Sequence, residues 1–182
     1  LTNRTAAGVA IGVAAALKLF AWPVAVVLVL HTYLQGRHAG TRLVLPTIAI
    51  PVGVLVPMVL INAGAVVENL VRFPLGMGLV KSPAASPFPG HLIATSLPFG
   101  RAVAAALLVT AAVMLGIWLV RRPPGTASAA AAVCAFGLLV AILLMPATRF
   151  GYLLYPAGYA VWAVALGRLV GTSYPVAASK LA

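Results

Sequence analysis

Five long apolar runs dominate the sequence and restrict the kind of fold it can adopt. They cover residues 6–34, 43–61, 102–120, 127–145 and 152–170. Each of the last four holds about 19 residues, enough for an α-helix rising about 1.5 Å per residue to cross ~30 Å of hydrocarbon. Only 7% of the residues are charged and the mean hydropathy is +1.13, which argues against a soluble domain. The sequence therefore predicts an all-α, polytopic integral membrane protein with about five transmembrane segments in a single domain over residues 1–182.

The first apolar run differs from the others in length and content. As one helix its residues would measure roughly 43 Å, and it contains Lys18 and Pro23. A proline in a helix interior removes a hydrogen bond and clashes with the preceding turn. Two predictions remain open, a long tilted helix or two shorter helices broken near Lys18 and Pro23. A lysine at the bilayer centre costs roughly 2.5–3.5 kcal/mol, so Lys18 either snorkels to the interface or faces a polar cavity and binds a phosphate.

Basic residues between the runs predict the side on which each connection lies. Helix alternation puts Arg37, Arg42, Arg121, Arg122, Arg168 and Lys180 on one side, and Arg72, Lys81, Arg101 and Arg149 on the other. The positive-inside rule assigns the larger set to the cytoplasm. Because these residues are scattered rather than gathered in a patch, we expect membrane lipids and not nucleic acid as their partners.

The connection over residues 62–100 is predicted to be one long extracytoplasmic loop. It begins with VVENLVRF, where Glu68 and Arg72 are four residues apart, which predicts a short helix at the membrane interface. It continues with FPLGMGLVKSPAASPFPGH, residues 73–91, whose prolines forbid a continuous helix. Long irregular segments are more often binding loops than spacers. We therefore predict that this loop covers a substrate at the membrane surface.

Few residues in the chain are suited to acid–base or metal chemistry. Glu68 is the only carboxylate, which excludes paired-carboxylate hydrolysis within these residues and disfavours a metal site. Glu68 is either a general base or an ion-pair partner of Arg72. His91 lies in the long loop, as a hydrogen-bond donor to substrate or as a packing residue. No metal and no cofactor is expected.

The turn PATRFGYLLYP, residues 146–156, joins the last two runs on the same face as the long loop. Its Arg149 offers the planar donor fork that suits a phosphate, and Tyr152 adds an amphipathic ring at headgroup level. The alternative is an aromatic belt with a snorkelling arginine. A short, punctuated Arg-Phe-Gly-Tyr turn is nevertheless more specific than such a belt requires.

Three stretches together resemble one known family. KLFAWP after a Gly- and Ala-rich helix, the loop FPLGMGLVKSPAASPFPGHLIA and the turn PATRFGYLLYP resemble the C-terminal half of actinobacterial membrane glycosyltransferases of family 87, in the C-type superfamily. The resemblance implies a hexosyltransferase, often a mannosyltransferase, that moves a sugar from a polyprenyl-phosphate carrier to a lipid or glycan acceptor of the cell envelope. It also implies a catalytic carboxylate upstream of Leu1, so that this chain would be a fragment supplying the donor-binding half.

On that resemblance a small set of residues would bind the phosphate and the sugar, and Glu68 is the one local candidate for a base. The candidate binding residues are Lys18, Arg72, Lys81, His91, Arg149 and Tyr152. The competing prediction is a non-enzymatic membrane protein, such as a transporter half or an assembly subunit, in which the long loop merely joins helices.

Overall fold

The computed structural model describes residues 3–80 and 82–172, without the side chains of residues 37–39 and 170–172. All regular structure in these residues is helical, which confirms the predicted all-α class. The α-helices are α1 (Arg4–Leu17), α2 (Ala21–Leu34), α3 (Arg37–Val67), α4 (Pro89–Ser96), α5 (Gly100–Arg121), α6 (Ala127–Leu144) and α7 (Leu154–Thr172). A π-helical turn, Glu68–Arg72, extends α3, and a 3-10 turn, Phe150–Leu153, precedes α7.

Four helical stretches are long and apolar enough to cross a bilayer. They are Gly40–Arg72, Gly100–Arg121, Ala127–Leu144 and Phe150–Leu169, and they match the last four predicted runs. Many large apolar side chains on these helices are exposed, among them Leu60, Ile61, Val109 and Trp162. Such surfaces are unfavourable in water and are satisfied by lipid tails. The chain is therefore a polytopic membrane protein.

The first apolar run is divided into two helices at Lys18, the second of the two open predictions. Lys18 has an extended backbone (φ −145°, ψ 129°), and α2 begins three residues later. Pro23 supplies a physical reason, because a continuous helix would drive its ring against the carbonyl of Leu19. With α2 starting at Ala21, Pro23 lies in the first helical turn, where its missing N–H breaks no hydrogen bond.

The two helices run in opposite directions and form a helical hairpin. Arg4 Nη2 donates to Gln35 Oε1 at 3.4 Å, which joins the beginning of α1 to the end of α2. Across the turn, the indole Nε1 of Trp22 donates to the carbonyl of Ala15 at 3.0 Å. Each arm is about 21 Å long, shorter than ~30 Å of hydrocarbon. We call residues 18–20 the hairpin tip.

The hairpin is held against α3 and α6. Gly8 and Gly12 let α1 lie directly on α3, since a Cβ at Gly8 would come within 2.4 Å of the Leu43 carbonyl oxygen. On the other arm, Val24 and Val27 of α2 pack into the core formed with α6. Helix α6 is central, because α2, α4, α5 and α7 all pack against it.

The bundle has two ends with different connections. One, which we call the base end, contains residues 34–37 and 122–126. There His31 Nδ1 lies 2.7 Å from the Pro124 carbonyl oxygen and joins α2 to the turn between α5 and α6. The other, which we call the loop end, contains residues 73–80, 82–99 and 145–150. Arg4 lies at the base end, because it is hydrogen-bonded to Gln35.

The predicted loop over residues 62–100 contains two helical pieces. Asn62 interrupts α3 with non-helical angles (φ −155°, ψ 83°), and its Oδ1 accepts a hydrogen bond from Ala65 N at 3.0 Å, as a helix N-cap does. A short helix follows and runs through the Glu68–Arg72 turn, which confirms the helix predicted from VVENLVRF. Residues 73–88 are irregular where described, as their prolines and glycines predict, and α4 starts at Pro89.

Candidate functional site

The hairpin tip meets the beginning of α7 in a small cationic and aromatic cluster. The Lys18 ammonium donates a hydrogen bond to the Tyr155 hydroxyl, and its Nζ lies 5.0 Å from the centroid of that ring. The Phe20 ring packs edge-on against Tyr152 with centroids 5.1 Å apart, and its centroid is 5.7 Å from that of Tyr155. We call Lys18, Phe20, Tyr152 and Tyr155 the tip cluster.

The Lys18 ammonium has no opposite charge beside it within the described residues. The one carboxylate of the chain, Glu68, forms its ion pair with Arg72. Tyr155 is in the first turn of α7, inside the candidate span Phe150–Leu169, and the Lys18 side chain that meets it is exposed. An exposed ammonium beside a membrane span either reaches the interface or faces a polar cavity, a partner or a substrate path.

Arg149 stands immediately before the 3-10 turn that carries Tyr152. Its carbonyl accepts a hydrogen bond from Tyr152 N at 3.0 Å, which fixes the backbone of the turn. The Arg149 side chain is exposed, and its guanidinium makes no hydrogen bond or ion pair with any residue that the structure describes. The same turn thus contributes a free arginine at the loop end and an aromatic ring to the tip cluster.

The long loop is bound to the turn after α6 by three hydrogen bonds. Ser86 N donates to the Thr148 carbonyl at 3.1 Å, and Ser86 Oγ accepts from Phe150 N at 3.0 Å. His91 Nδ1 lies 3.0 Å from the Pro146 carbonyl oxygen and donates to it. The two segments predicted to share a face are therefore in direct contact, and one nitrogen of His91 serves packing.

Close packing reinforces this contact. The Phe88 and Phe150 rings meet edge to face with centroids 5.0 Å apart. Gly90 lies so close to α6 that a Cβ there would come within 2.0 Å of the Leu144 carbonyl oxygen. Together Ser86, Phe88, Gly90 and His91 form what we call the loop latch. It holds α4 and the preceding residues on the end of α6.

Glu68 and Arg72 form the ion pair that the sequence offered as one alternative. Glu68 Oε2 lies 3.8 Å from Arg72 Nη1, and Glu68 Oε1 accepts a hydrogen bond from Leu79 N. The Glu68 side chain is 20% exposed and that of Arg72 59%. Glu68 therefore closes the turn that follows the π-helical segment. This arrangement supports a structural role for Glu68 over that of a general base.

The remaining sequence candidates can be located only in part. Lys81 lies outside the described residues. No group of three His, Cys, Asp or Glu side chains suited to a metal occurs in the part of the chain that the structure describes. Arg72, His91 and Arg149 are all at the loop end, whereas Lys18 lies at the hairpin tip against Tyr155 of α7.

An apolar cavity of about 270 Å³ lies beside the hairpin, between α2, α5 and α6. Small and aliphatic residues line it, among them Val27, Leu115, Gly116, Cys134, Gly137 and Ala141. Because its walls belong to membrane-spanning helices and lack charge, it suits a hydrocarbon chain better than a sugar or a phosphate.

No family model, curated protein or solved structure significantly matches this chain. The resemblance to family 87 therefore stays a prediction.

Phe20 and Tyr155 are not among the site residues predicted from the sequence, although both belong to the tip cluster. One sequence feature pointed towards Tyr155: Tyr152 and Tyr155 are three residues apart, a spacing that places two side chains on one helical face. Nothing in the local sequence links Lys18 to a residue 137 positions away.

Proposed function

We propose that this chain forms the donor-binding part of a membrane glycosyltransferase, a hexosyltransferase such as a mannosyltransferase. It would take a sugar from a polyprenyl-phosphate carrier and pass it to a lipid or glycan acceptor outside the bacterial cytoplasmic membrane, in the cell envelope. The observation that carries the proposal is the Lys18 ammonium, fixed at the hairpin tip without a counter-charge among the described residues.

A lipid phosphate fits this position by charge and by depth. The headgroup of a polyprenyl-phosphate sugar is anionic and is anchored at the membrane surface by its chain. Lys18 at the hairpin tip would offer this headgroup one ammonium, and Arg149 at the loop end would offer it one planar donor fork. The apolar cavity between α2, α5 and α6 has the lining that a prenyl chain needs.

In this proposal the donor-binding part stabilises the leaving group, the polyprenyl phosphate. An acceptor hydroxyl attacks the anomeric carbon of the sugar, the bond from that carbon to the phosphate oxygen breaks, and the hydroxyl proton passes to a base. Positive groups placed where the phosphate gains charge lower the barrier. Glu68 Oε1 accepts a hydrogen bond from Leu79 N and Oε2 faces Arg72 at 3.8 Å, so we assign the base to a carboxylate elsewhere, as the family resemblance implies.

The charge distribution supports an extracytoplasmic loop end. The positive-inside rule counts lysines and arginines near the ends of spanning helices. At the base end the described arginine side chains are Arg4, Arg42, Arg121, Arg122 and Arg168, against Arg72, Arg101 and Arg149 at the loop end. Arg4 joins the larger set because α1 and α2 form a hairpin.

Sugar transfer in membranes tests the proposal. Membranes containing the intact protein receive a radiolabelled polyprenyl-phosphate hexose, and labelled lipid or glycan product is measured per amount of folded protein. We expect Lys18→Gln to reduce transfer at least tenfold, and Tyr33→Phe, a change at the base end, to leave it unchanged. Transfer by Lys18→Gln at the parent rate, or no transfer from polyprenyl-phosphate hexoses by the parent, would refute the proposal.

A transporter half is the second candidate, and the hairpin favours it. Two short antiparallel helices that meet inside the membrane resemble the discontinuous helices with which transporters bind ions and substrates. In proteoliposomes a transporter would move a phosphate-bearing solute across the bilayer without forming product. Accumulation of labelled phosphate compounds, with no sugar transfer, would decide for this candidate.

A further inference from the structure

We infer that Lys18 and Tyr155 act as one phosphate-binding pair, in which the Tyr155 hydroxyl positions the ammonium and donates its own proton to the same anion. The ligand class is a phosphate group, whether borne by a lipid or free in solution. This inference rests on the proposed function for its choice of anion. It goes further in assigning Tyr155 a binding role.

The unused hydrogen-bond donors of Lys18 and Tyr155 lead to this assignment. A tyrosine hydroxyl has one donor and two acceptor positions, and an ammonium has three donors. Lys18 donates to the Tyr155 oxygen, so the tyrosine proton and two ammonium protons remain. No acceptor for these three protons occurs among the described residues. A pair with three unused donors and a positive charge is suited to an anion with several oxygen atoms, as a phosphate has.

Packing fixes the pair in place. Tyr155 is in the first turn of α7, and its ring is 6.4 Å from Tyr152 and 5.7 Å from Phe20, measured between centroids. Phe20 itself belongs to the hairpin tip, two residues after Lys18. The aromatic contacts thus hold the tip and α7 together, and the two donor groups face each other before any ligand arrives. Such preorganisation reduces the cost of binding.

The surrounding charge favours an anion over a cation at this place. The described part of the chain has only one carboxylate, Glu68, and it is paired with Arg72 and bonded to Leu79 at the loop end. Lys18 is exposed in the turn between α1 and α2, so a ligand from outside the bundle can reach its ammonium. Since no acidic side chain of the described residues pairs with it, a bound anion would meet no competing carboxylate there.

A double-mutant cycle on the intact protein in lipid nanodiscs tests the pair. The probes are farnesyl phosphate, inorganic phosphate and farnesol, and the measured quantity is the Kd of each. The variants are Lys18→Gln, Tyr155→Phe and the two combined, with Tyr33→Phe as the matched control, because Tyr33 is 45% exposed at the base end. Tyr155→Phe retains the ring and its aromatic contacts and removes only the hydroxyl.

We expect Tyr155→Phe to weaken farnesyl phosphate binding about five- to tenfold and Lys18→Gln to weaken it at least as much. The double variant should bind within about twofold of Lys18→Gln alone, because residues that act as a unit are not additive. Farnesol binding should change in none of the variants, which separates a phosphate contact from a fold defect. Tyr33→Phe should match the parent throughout.

Several outcomes would overturn the inference. They are a Tyr155→Phe variant that binds farnesyl phosphate like the parent, strictly additive effects in the cycle, or an equal loss of farnesol binding. Competition by inorganic phosphate at similar concentration would identify free phosphate as the ligand, and its absence a lipid phosphate. If Lys18 and Tyr155 bind phosphate as a coupled pair but the protein transfers no sugar, the proposed function alone is refuted. If the protein transfers sugar but Tyr155→Phe leaves the Kd of farnesyl phosphate unchanged, the inference alone is refuted.

Discussion

Replacing Gly90 by alanine should release the loop latch, and the structure gives the scale of the effect. The added Cβ would come within 2.0 Å of the Leu144 carbonyl oxygen and 2.9 Å of its Cα, whereas real Cβ contacts essentially never fall below 3.0 Å. Helix α4 must therefore move by about 1 Å or more away from α6. Helix α6 packs against α2, α5 and α7 as well, whereas α4 is a helix of only eight residues, so α4 is the element that shifts.

The free energy follows from the contacts that this shift weakens. Overpacking of this kind costs typically 1–3 kcal/mol. Loss of the hydrogen bond from His91 to the Pro146 carbonyl adds about 1 kcal/mol. The better helix propensity of alanine returns up to about 1 kcal/mol. We expect a net loss of about 2 kcal/mol for closure of the latch, which corresponds to about a thirty-fold larger open population.

Cysteine labelling measures this open population. Thr148 is fully buried beneath the latch, and its Oγ1 has no hydrogen-bond partner among the described residues, so Thr148→Cys breaks no side-chain hydrogen bond. In a Cys134→Ala background, the maleimide reaction at position 148 should be slow, and about thirty-fold faster when Gly90→Ala is added. Reaction through local opening tracks the population of the open form.

Gly125→Ala is the matched control, because a Cβ at Gly125 meets nothing within 4 Å. It should leave the labelling rate at position 148 unchanged, and the helical circular dichroism of all variants should agree. If Gly90→Ala reacts no faster than the control, the close approach of α4 to α6 does not hold the latch, and the reasoning from the 2.0 Å contact fails.

Three further predictions concern other parts of the chain. Leu79 is 88% exposed at the loop end, so in intact cells Leu79→Cys should react with a membrane-impermeant thiol reagent and Gly125→Cys should not; the reverse result would invert the topology. Glu68→Gln should retain the hydrogen bond from Leu79 N and most of the thermal stability, while Glu68→Ala loses about 1.5–3 kcal/mol; equal melting temperatures of the two would contradict this role. Arg149→Ala should slow sugar transfer roughly ten- to a hundred-fold, with Arg149→Lys recovering only part, because a lysine cannot bind two phosphate oxygens in parallel; parent rates in both would leave Arg149 as an interfacial anchor.

Local patterns in the sequence determined the class of fold and most of its helices. Apolar runs of membrane-spanning length predicted the four spans, since burial in lipid depends on the composition of each segment by itself. The spacing of Glu68 and Arg72 predicted the short helix after α3 and their ion pair as one alternative. Pro23 gave a broken helix as one of two predictions, because proline geometry acts on its own turn.

The direction of the chain after that break was decided only by tertiary structure. Hydropathy and proline geometry are the same whether the chain continues across the membrane or turns back. The contacts of Arg4 with Gln35 and of α1 with α3 select the hairpin, and these depend on which surfaces fit together. The same holds for the candidate site, where Lys18 meets Tyr155 across 137 positions of sequence. The composition of a segment limits how deep its residues can lie in the membrane. The neighbour that a residue meets there depends on how the helices pack, and helix packing is a property of the whole bundle.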